Sequence, residues 1–315
     1  MSFKNVTVLG GGVLGSQIAF QAAYCGFNVI LWGRSEGSIA RAQARLDTIH
    51  EAYIDLINLM DTPEGKNPMI WANGIGDPDT FDKGVCIAKA EAAYKNVKME
   101  VNLAESVKDA DLVIESIAEV IDEKLAFYKE LAPLLPEKTV LVTNSSSFPG
   151  SIFADATGRP EKYLSLHFAN KIWKLNLAEI MRQSKTEDIY FQQIIEFAKE
   201  IRMAPVKINK EKAGYCGNSL LIPLVTAAMD LYINGVADPE SIDTAWKVGV
   251  GAAYGPMEFL DIIGMVTPSN IFHGFAEHPE MVPAYDFKAI ADAFDEKIAA
   301  DELGLESGAG FYQYN

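Results

Sequence analysis

Cysteine, histidine and basic residues are all scarce in this chain of 315 residues. There are three cysteines, Cys25, Cys86 and Cys216, scattered without a Cys-x-x-Cys or any paired spacing. An odd, dispersed set fits a reducing compartment better than a disulfide framework, and argues against a cysteine metal site. The 27 Lys and Arg residues are outnumbered by 43 Asp and Glu, for a net charge of −16. Nucleic acid and anionic membrane surfaces are poor partners for such a balance, because both need clustered positive charge. A long apolar run is missing too. The longest stretch, near Leu220–Met229, ends at Asp230 and is too short to cross a bilayer. The opening residues, Met-Ser-Phe-Lys-Asn, lack the pattern of a secretory signal. The expectation is a soluble cytoplasmic protein without nucleic-acid or membrane partners. About half of the residues are apolar, enough for a core in each of two domains.

The pattern present is alternating. Val6–Leu9 reads as a strand, Val13–Cys25 as a helix and Asn28–Trp32 as a second strand, which together make a βαβ unit. A long helix follows to about Met60. Asp61 to Gly84 is rich in Pro, Gly, Asn and Asp, and reads as an insertion or mobile arm between helices. Further strands are expected near Leu112–Ile114, Thr139–Val142, Leu164–Phe168, Leu177–Met181 and Val206–Ile208, with helices between them. Beyond Lys210 only helical patterns remain, the first running from Ala213 to Ile233 with Pro223 as a kink. The fold class expected is α/β: a Rossmann-like doubly wound sheet over residues 1–209, then an all-helical domain over 210–315.

Gly10-Gly11-Gly12-Val13-Leu14-Gly15 fits Gly-x-Gly-x-x-Gly between a strand and a helix. Gly10 allows the tight turn, Gly12 lets the backbone approach a pyrophosphate, and Gly15 lets helix pack on strand. The helix N-terminus then faces the phosphates with free N–H groups. The second strand ends Trp32-Gly33-Arg34-Ser35, with Gly33 where an acidic residue usually holds the ribose. Arg34 and Ser35 suit a 2′-phosphate, so the cofactor expected is NADP(H) in preference to NAD(H). The alternative leaves Arg34 in solvent and gives the ribose to Glu36.

Four histidines are present: His50, His167, His273 and His278. His167 stands at a strand end, where a doubly wound sheet opens onto its ligand crevice. Twelve residues on, Glu179 sits in an apolar run and needs a buried partner. An imidazole held by a carboxylate is the general acid/base that hydride transfer to a carbonyl requires. Read alone, His167 is better explained as a satisfied core histidine. Ser146, in Thr143-Asn144-Ser145-Ser146-Ser147, can bond a substrate oxygen or cap a helix. Asn218, opening the long helix, can donate to a developing oxyanion or be a polar helix start.

Taken in order, these segments resemble the short-chain L-3-hydroxyacyl-CoA dehydrogenase family. The likeness spans the glycine fingerprint, Glu115 to Lys124, Asn144–Ser147, His167-Phe168-Ala169-Asn170, Glu179 and Ala213–Asn218, then Gly255–Asp261 and Gly308–Tyr312. The resemblance implies His167 as acid/base, Glu179 as its orienting partner, Ser146 and Asn218 as ligands of the substrate oxygen, and Glu119, Lys124 and Asn144 as cofactor contacts. It also implies a helical domain that mediates homodimerisation and a place in fatty acid metabolism. The chain departs from the family at Ala169 and Lys171, where the pattern is His-Phe-Phe-Asn-Pro, and at Asp61–Gly84, where coenzyme A is normally held. The run His167–Asn170 with Trp173 is similar to diketone-reducing members. Reduction of free ketones or oxidation of sugar acids is therefore one alternative, and a non-catalytic, crystallin-like dinucleotide-binding protein another.

Overall fold

A computed structural model describes residues 3–68, 70–277 and 285–314, so His278 lies outside the described residues. The chain divides into two compact units, Met1–Cys216 and Gly217–Asn315.

In the first unit, β1 (Asn5–Leu9), α1 (Val13–Tyr24) and β2 (Asn28–Trp32) form the opening βαβ unit. Then come α2 (Glu36–Met60), α3 (Lys83–Asn96), β3 (Lys98–Glu100), α4 (Leu103–Val107), β4 (Leu112–Glu115), α5 (Ile121–Leu131) and β5 (Val140–Thr143). β6 (Tyr163–Phe168), β7 (Leu177–Met181), α6 (Asp188–Glu200) and β8 (Ala204–Ile208) complete it. The eight strands lie in the order β3-β2-β1-β4-β5-β6-β7-β8, and β6 with β7 is the one antiparallel pair of the sheet. β1 lies between β2 and β4, so the winding reverses beside its carboxyl end, and a crevice opens there. β4 and β5 are buried at every residue, as strands covered on both faces must be.

α1 is buried from Gly15 to Tyr24, which explains its apolar composition and places Gln17 and Gln21 inside the protein. Both glutamines find partners. Gln21 Nε2 donates to the carbonyls of Gly74 and Ile201, and its Oε1 accepts from the Tyr53 hydroxyl. α2 turns Ala42, Leu46, Ile49, Tyr53, Ile57 and Met60 inward at helical spacing.

The Asp61–Gly84 segment, expected as an insertion or mobile arm, packs against the fold. Trp71, Ala72 and Ile75 are buried, Trp71 Nε1 donates to the Gly76 carbonyl, and Gly74 N donates to the Trp173 carbonyl at 3.0 Å. Its Pro and Gly residues serve a compact run of turns, and α3 already begins at Lys83 behind an Asp82 cap.

The second unit is helical: α7 (Gly217–Ile233, containing Pro223), α8 (Pro239–Val250), α9 (Pro256–Ile263), α10 (Val266–Ala276) and α11 (Phe287–Ala299). Its core gathers Met229, Leu260, Phe272, Ile290 and Phe294. Buried Asp243 and Asp261 tie down the C-terminal segment. Asp243 accepts from the Tyr312 hydroxyl, and Asp261 from the Phe311 and Tyr312 N–H groups and the Tyr314 hydroxyl. No helix among the described residues is long and apolar enough to cross a membrane.

Candidate active site

The glycine turn fits a dinucleotide by what it leaves open. Gly10 has φ +110°, and a Cβ there would lie 2.5 Å from the Ser116 carbonyl oxygen. A Cβ on Gly15 would come within 1.9 Å of the Gly10 carbonyl oxygen. Gly12 is different: an added Cβ meets nothing within 4 Å. The protein itself therefore gives no packing reason for glycine at that position, whereas a phosphate backbone approaching the turn does. No side chain caps α1, so its first N–H groups remain for an anion, with Val13 and Leu14 carrying two of them.

At the end of β2, Gly33 packs so closely that a Cβ would lie 2.6 Å from Ser38 Oγ. Arg34, Ser35 and Glu36 are all exposed. Ser35 caps α2: its hydroxyl oxygen accepts from Ser38 N–H at 3.2 Å, and Ser38 Oγ accepts from Ser35 N–H at 3.0 Å.

The loops after β4 and β5 are locked together by two carboxylates. Glu115 is fully buried. It accepts from Lys124 Nζ at 2.6 Å, Ile117 N–H at 2.8 Å, the Tyr128 hydroxyl at 2.5 Å and Thr143 Oγ1 at 2.7 Å. Burial, followed by the Glu115 charge, pushes the Tyr128 phenol well above its ordinary value, so it stays a donor. Glu119 accepts from Ser145 Oγ and from Ser146 N–H, both at 2.9 Å. Asn144 Oδ1 accepts from Phe168 N–H at 3.2 Å, which joins the β5 loop to the end of β6. Lys124 is thus buried, with its ammonium paired to Glu115.

His167 and Glu179 face each other as cross-strand partners in the β6–β7 ladder. The antiparallel register puts residues twelve apart in sequence on one face, with His167 Nδ1 3.0 Å from Glu179 Oε2. The carboxylate fixes the proton on Nδ1, so that Nε2 of the neutral ring is an acceptor. Ser146 Oγ lies 3.1 Å from Nε2. The imidazole is 12% exposed, Glu179 only 3%. Glu179 is held in turn: its Oε1 accepts from the Cys216 N–H at 2.9 Å.

The structure therefore brings Ser146, His167 and Glu179 into one hydrogen-bonded line and sets Glu119 and Asn144 beside it. Asn218 lies in the first turn of α7, in the other unit. Sequence reasoning missed three participants. Glu115 carries a signal close to that of Glu179, an acid against apolar neighbours, and could have been found by it. The Cys216 N–H is a backbone group and has no sequence signal. Tyr215 stacks on His167, with ring centroids 4.5 Å apart and planes 17° apart, and its hydroxyl donates to the Ser145 carbonyl at 2.7 Å. Burial, above all other causes, raises the Tyr215 phenol, so it too stays protonated and donating.

A dinucleotide turn at the switch point of a doubly wound sheet, with a carboxylate-held imidazole at a neighbouring strand end, defines a nicotinamide dinucleotide-dependent dehydrogenase acting on CH–OH groups. Known proteins resolve that class further. Residues 5–67 and 78–212 match the model of the 3-hydroxyacyl-CoA dehydrogenase NAD binding domain, and residues 214–314 match that of the C-terminal domain. The chain belongs to the 3-hydroxyacyl-CoA dehydrogenase family. It is 30% identical to mitochondrial hydroxyacyl-coenzyme A dehydrogenase of Homo sapiens over 311 residues, 99% of this chain and 91% of that one. It is also 30% identical to 3-hydroxybutyryl-CoA dehydrogenase of Clostridioides difficile, over 99% of each. A solved diketoreductase superposes along 100% of both chains at a TM-score of 0.84, with 39% sequence identity.

Proposed function

We propose that the chain catalyses the reversible oxidation of a 3-hydroxy group to a 3-keto group, with His167 as the general acid/base. The observation that carries this reading is the line Ser146 Oγ–His167 Nε2 at 3.1 Å and His167 Nδ1–Glu179 Oε2 at 3.0 Å. When bound, the dinucleotide supplies or accepts the hydride. In the reducing direction the protonated Nε2 gives its proton to the forming alkoxide; Glu179 stabilises the charged ring before that transfer, and the neutral ring left behind regains a proton from solvent. In the oxidising direction Nε2 takes the hydroxyl proton. Ser146 and Asn218 are the groups assigned to the substrate oxygen, and a donor there is worth most as negative charge develops.

The cofactor is assigned to Gly10, Gly12, Val13, Leu14 and Gly15 at the pyrophosphate, with Glu119 and Asn144 bordering the same crevice. Lys124, which pairs with Glu115, is assigned to the cofactor as well. Exposed Arg34 and Ser35, with no carboxylate at Gly33, favour NADP(H). Residues 1–209 are assigned to cofactor binding and 210–315 to substrate binding and homodimerisation. Leu220, Val236, Val248 and Val250, all exposed on the helical unit, support the latter. A reducing cytoplasm suits three unpaired cysteines.

For the substrate, a specific observation favours a small free ketone over an acyl-CoA. Residues 68–77 fall outside the family match, and Gly74 within them packs on Trp173, six residues past His167. The same stretch carries Ala169 and Lys171, and the solved diketoreductase resembles this chain more than the CoA-dependent relatives cited above do. The test is His167→Gln assayed with NADH and NADPH against acetoacetyl-CoA, free 3-keto esters and diketo esters. Turnover of the unaltered enzyme should be higher on the free ketones. The variant should lose roughly a hundredfold or more in kcat with cofactor affinity kept. Unchanged turnover in the variant removes His167 from the reaction. Cofactor binding without turnover on any ketone by the unaltered protein would support a non-catalytic role.

A further inference from the structure

Tyr215 touches both halves of the proposed proton-handling group. Its ring lies flat against the His167 imidazole, and its hydroxyl holds the carbonyl of Ser145, the residue before Ser146. The next residue, Cys216, gives its N–H to Glu179. One dipeptide therefore reaches the imidazole by stacking, the carboxylate by a backbone donor and the serine loop by a phenol. The backbone accepts a cost for this placement. Tyr215 has φ +53°, a left-handed conformation that a bulky side chain rarely adopts without compensation. The side chain is 1% exposed, so the compensation is internal.

Resting on the acid/base reading above, we infer that Tyr215 is a positioning residue for that reaction. Its ring face favours the protonated imidazole, and its hydroxyl sets the distance between Ser146 and His167. Two physical effects separate these tasks. An aromatic face carries negative quadrupole density, so a ring stacked on His167 stabilises the imidazolium relative to the neutral ring. The phenol acts through the peptide of Ser145, whose side chain and successor are gripped from the other side by Glu119. Glu119 on the β4 loop, Glu179 on β7 and Glu115 at the end of β4 all act on Tyr215 by their charge, and none is altered in the variants below.

The test uses Tyr215→Phe and Tyr215→Leu in the full-length enzyme, with NAD(P)H affinity measured by fluorescence as the control for an intact cofactor domain. Tyr215→Phe keeps the stack and loses the hydroxyl. Its kcat for ketone reduction should fall about fivefold at an unchanged pH midpoint, the scale of one neutral hydrogen bond. In a Ser146→Ala background the same change should cost nothing further, because its effect runs through Ser146. Tyr215→Leu removes the ring face, and the pH at which reduction falls to half its maximum should move down by about half a unit. A wild-type kcat in Tyr215→Phe, full additivity with Ser146→Ala, or an unmoved midpoint in folded Tyr215→Leu overturns the inference. If Tyr215→Leu does not fold, the Tyr215→Phe cycle decides alone. Failure here with His167→Gln still inactive removes only Tyr215, whereas an active His167→Gln removes the reading beneath it.

Discussion

Lys124 and Glu115 show how far a single charge pair can be committed to architecture. Both are almost wholly buried, and the carboxylate has four donors, so neither its charge nor its lone pairs are left without compensation. Replacing Lys124 with Met strands that carboxylate, and the expected cost is about 3–5 kcal/mol, seen as a lower urea midpoint. A loss below about 1 kcal/mol would show that Tyr128 and Thr143 satisfy Glu115 unaided. Arg34 is the opposite case, an exposed cation assigned to the cofactor rather than to the architecture. Arg34→Ala should weaken NADPH about tenfold or more and leave NADH nearly unaffected. Equal effects on both cofactors would return Arg34 to the solvent and the ribose to Glu36. At this scale the sequence was informative where chemistry confines the residue type. His167, Glu179 and Ser146 were legible because few side chains do their work. Tyr215 was not, because a tyrosine after a glycine reads as packing until its ring is seen beside the imidazole.

At the scale of elements, α1 links the dinucleotide turn to the strand end that bears His167. Gln17 Nε2 donates to Asn170 Oδ1 at 2.7 Å, and its Oε1 accepts from Lys171 N–H at 2.9 Å. One turn on, Gln21 holds Gly74. The helix whose N-terminus is assigned to the phosphates thus also fixes residues 170–171 and the inserted turns. The alternation of strand and helix made the sheet readable, since buried parallel strands need apolar runs and their crossovers need amphipathic helices. The Asp61–Gly84 segment was legible as an insertion but its packing was not, because Pro and Gly content signals turns without saying whether the turns pack. Their packing rests on three scattered apolar residues with no period to detect. Gly74 is the sensitive point. A Cβ there would lie 2.6 Å from the Trp173 carbonyl oxygen and 2.7 Å from its Cα, both backbone atoms that cannot swing aside. Gly74→Val should cost about 1–3 kcal/mol and raise KM for the ketone while cofactor affinity holds. If stability falls and KM does not, the inserted turns brace the fold without shaping the substrate side.

For the molecule as a whole, the distribution of buried weak acids sets a limit on the alkaline side. Burial pushes the Tyr24, Tyr53, Tyr128 and Tyr163 phenols above their ordinary range, with nearby Cys86, Cys25 or Glu115 adding to it. Burial likewise pushes the Cys25 thiol up to about 12. All five groups keep their protons in the folded state at pH values where the unfolded chain begins to release them. The unfolded state then binds fewer protons than the native one, and stability falls as pH rises. The loss begins near pH 9, where an unfolded cysteine ionises, and steepens above about pH 10, where unfolded tyrosines follow. Each phenol then contributes a slope of about 1.4 kcal/mol per pH unit until its folded value is reached. Urea midpoints should be level between pH 7.5 and about pH 8.5, and should drop sharply between about pH 10 and pH 11. The chain has twelve tyrosines, and the share of the phenolate absorbance that belongs to these four should appear only with unfolding, because none of them titrates while it stays packed. Ionisation of all twelve phenols while the urea midpoint stays constant would mean that the buried rings ionise in place, and that the core admits water far more readily than its packing implies.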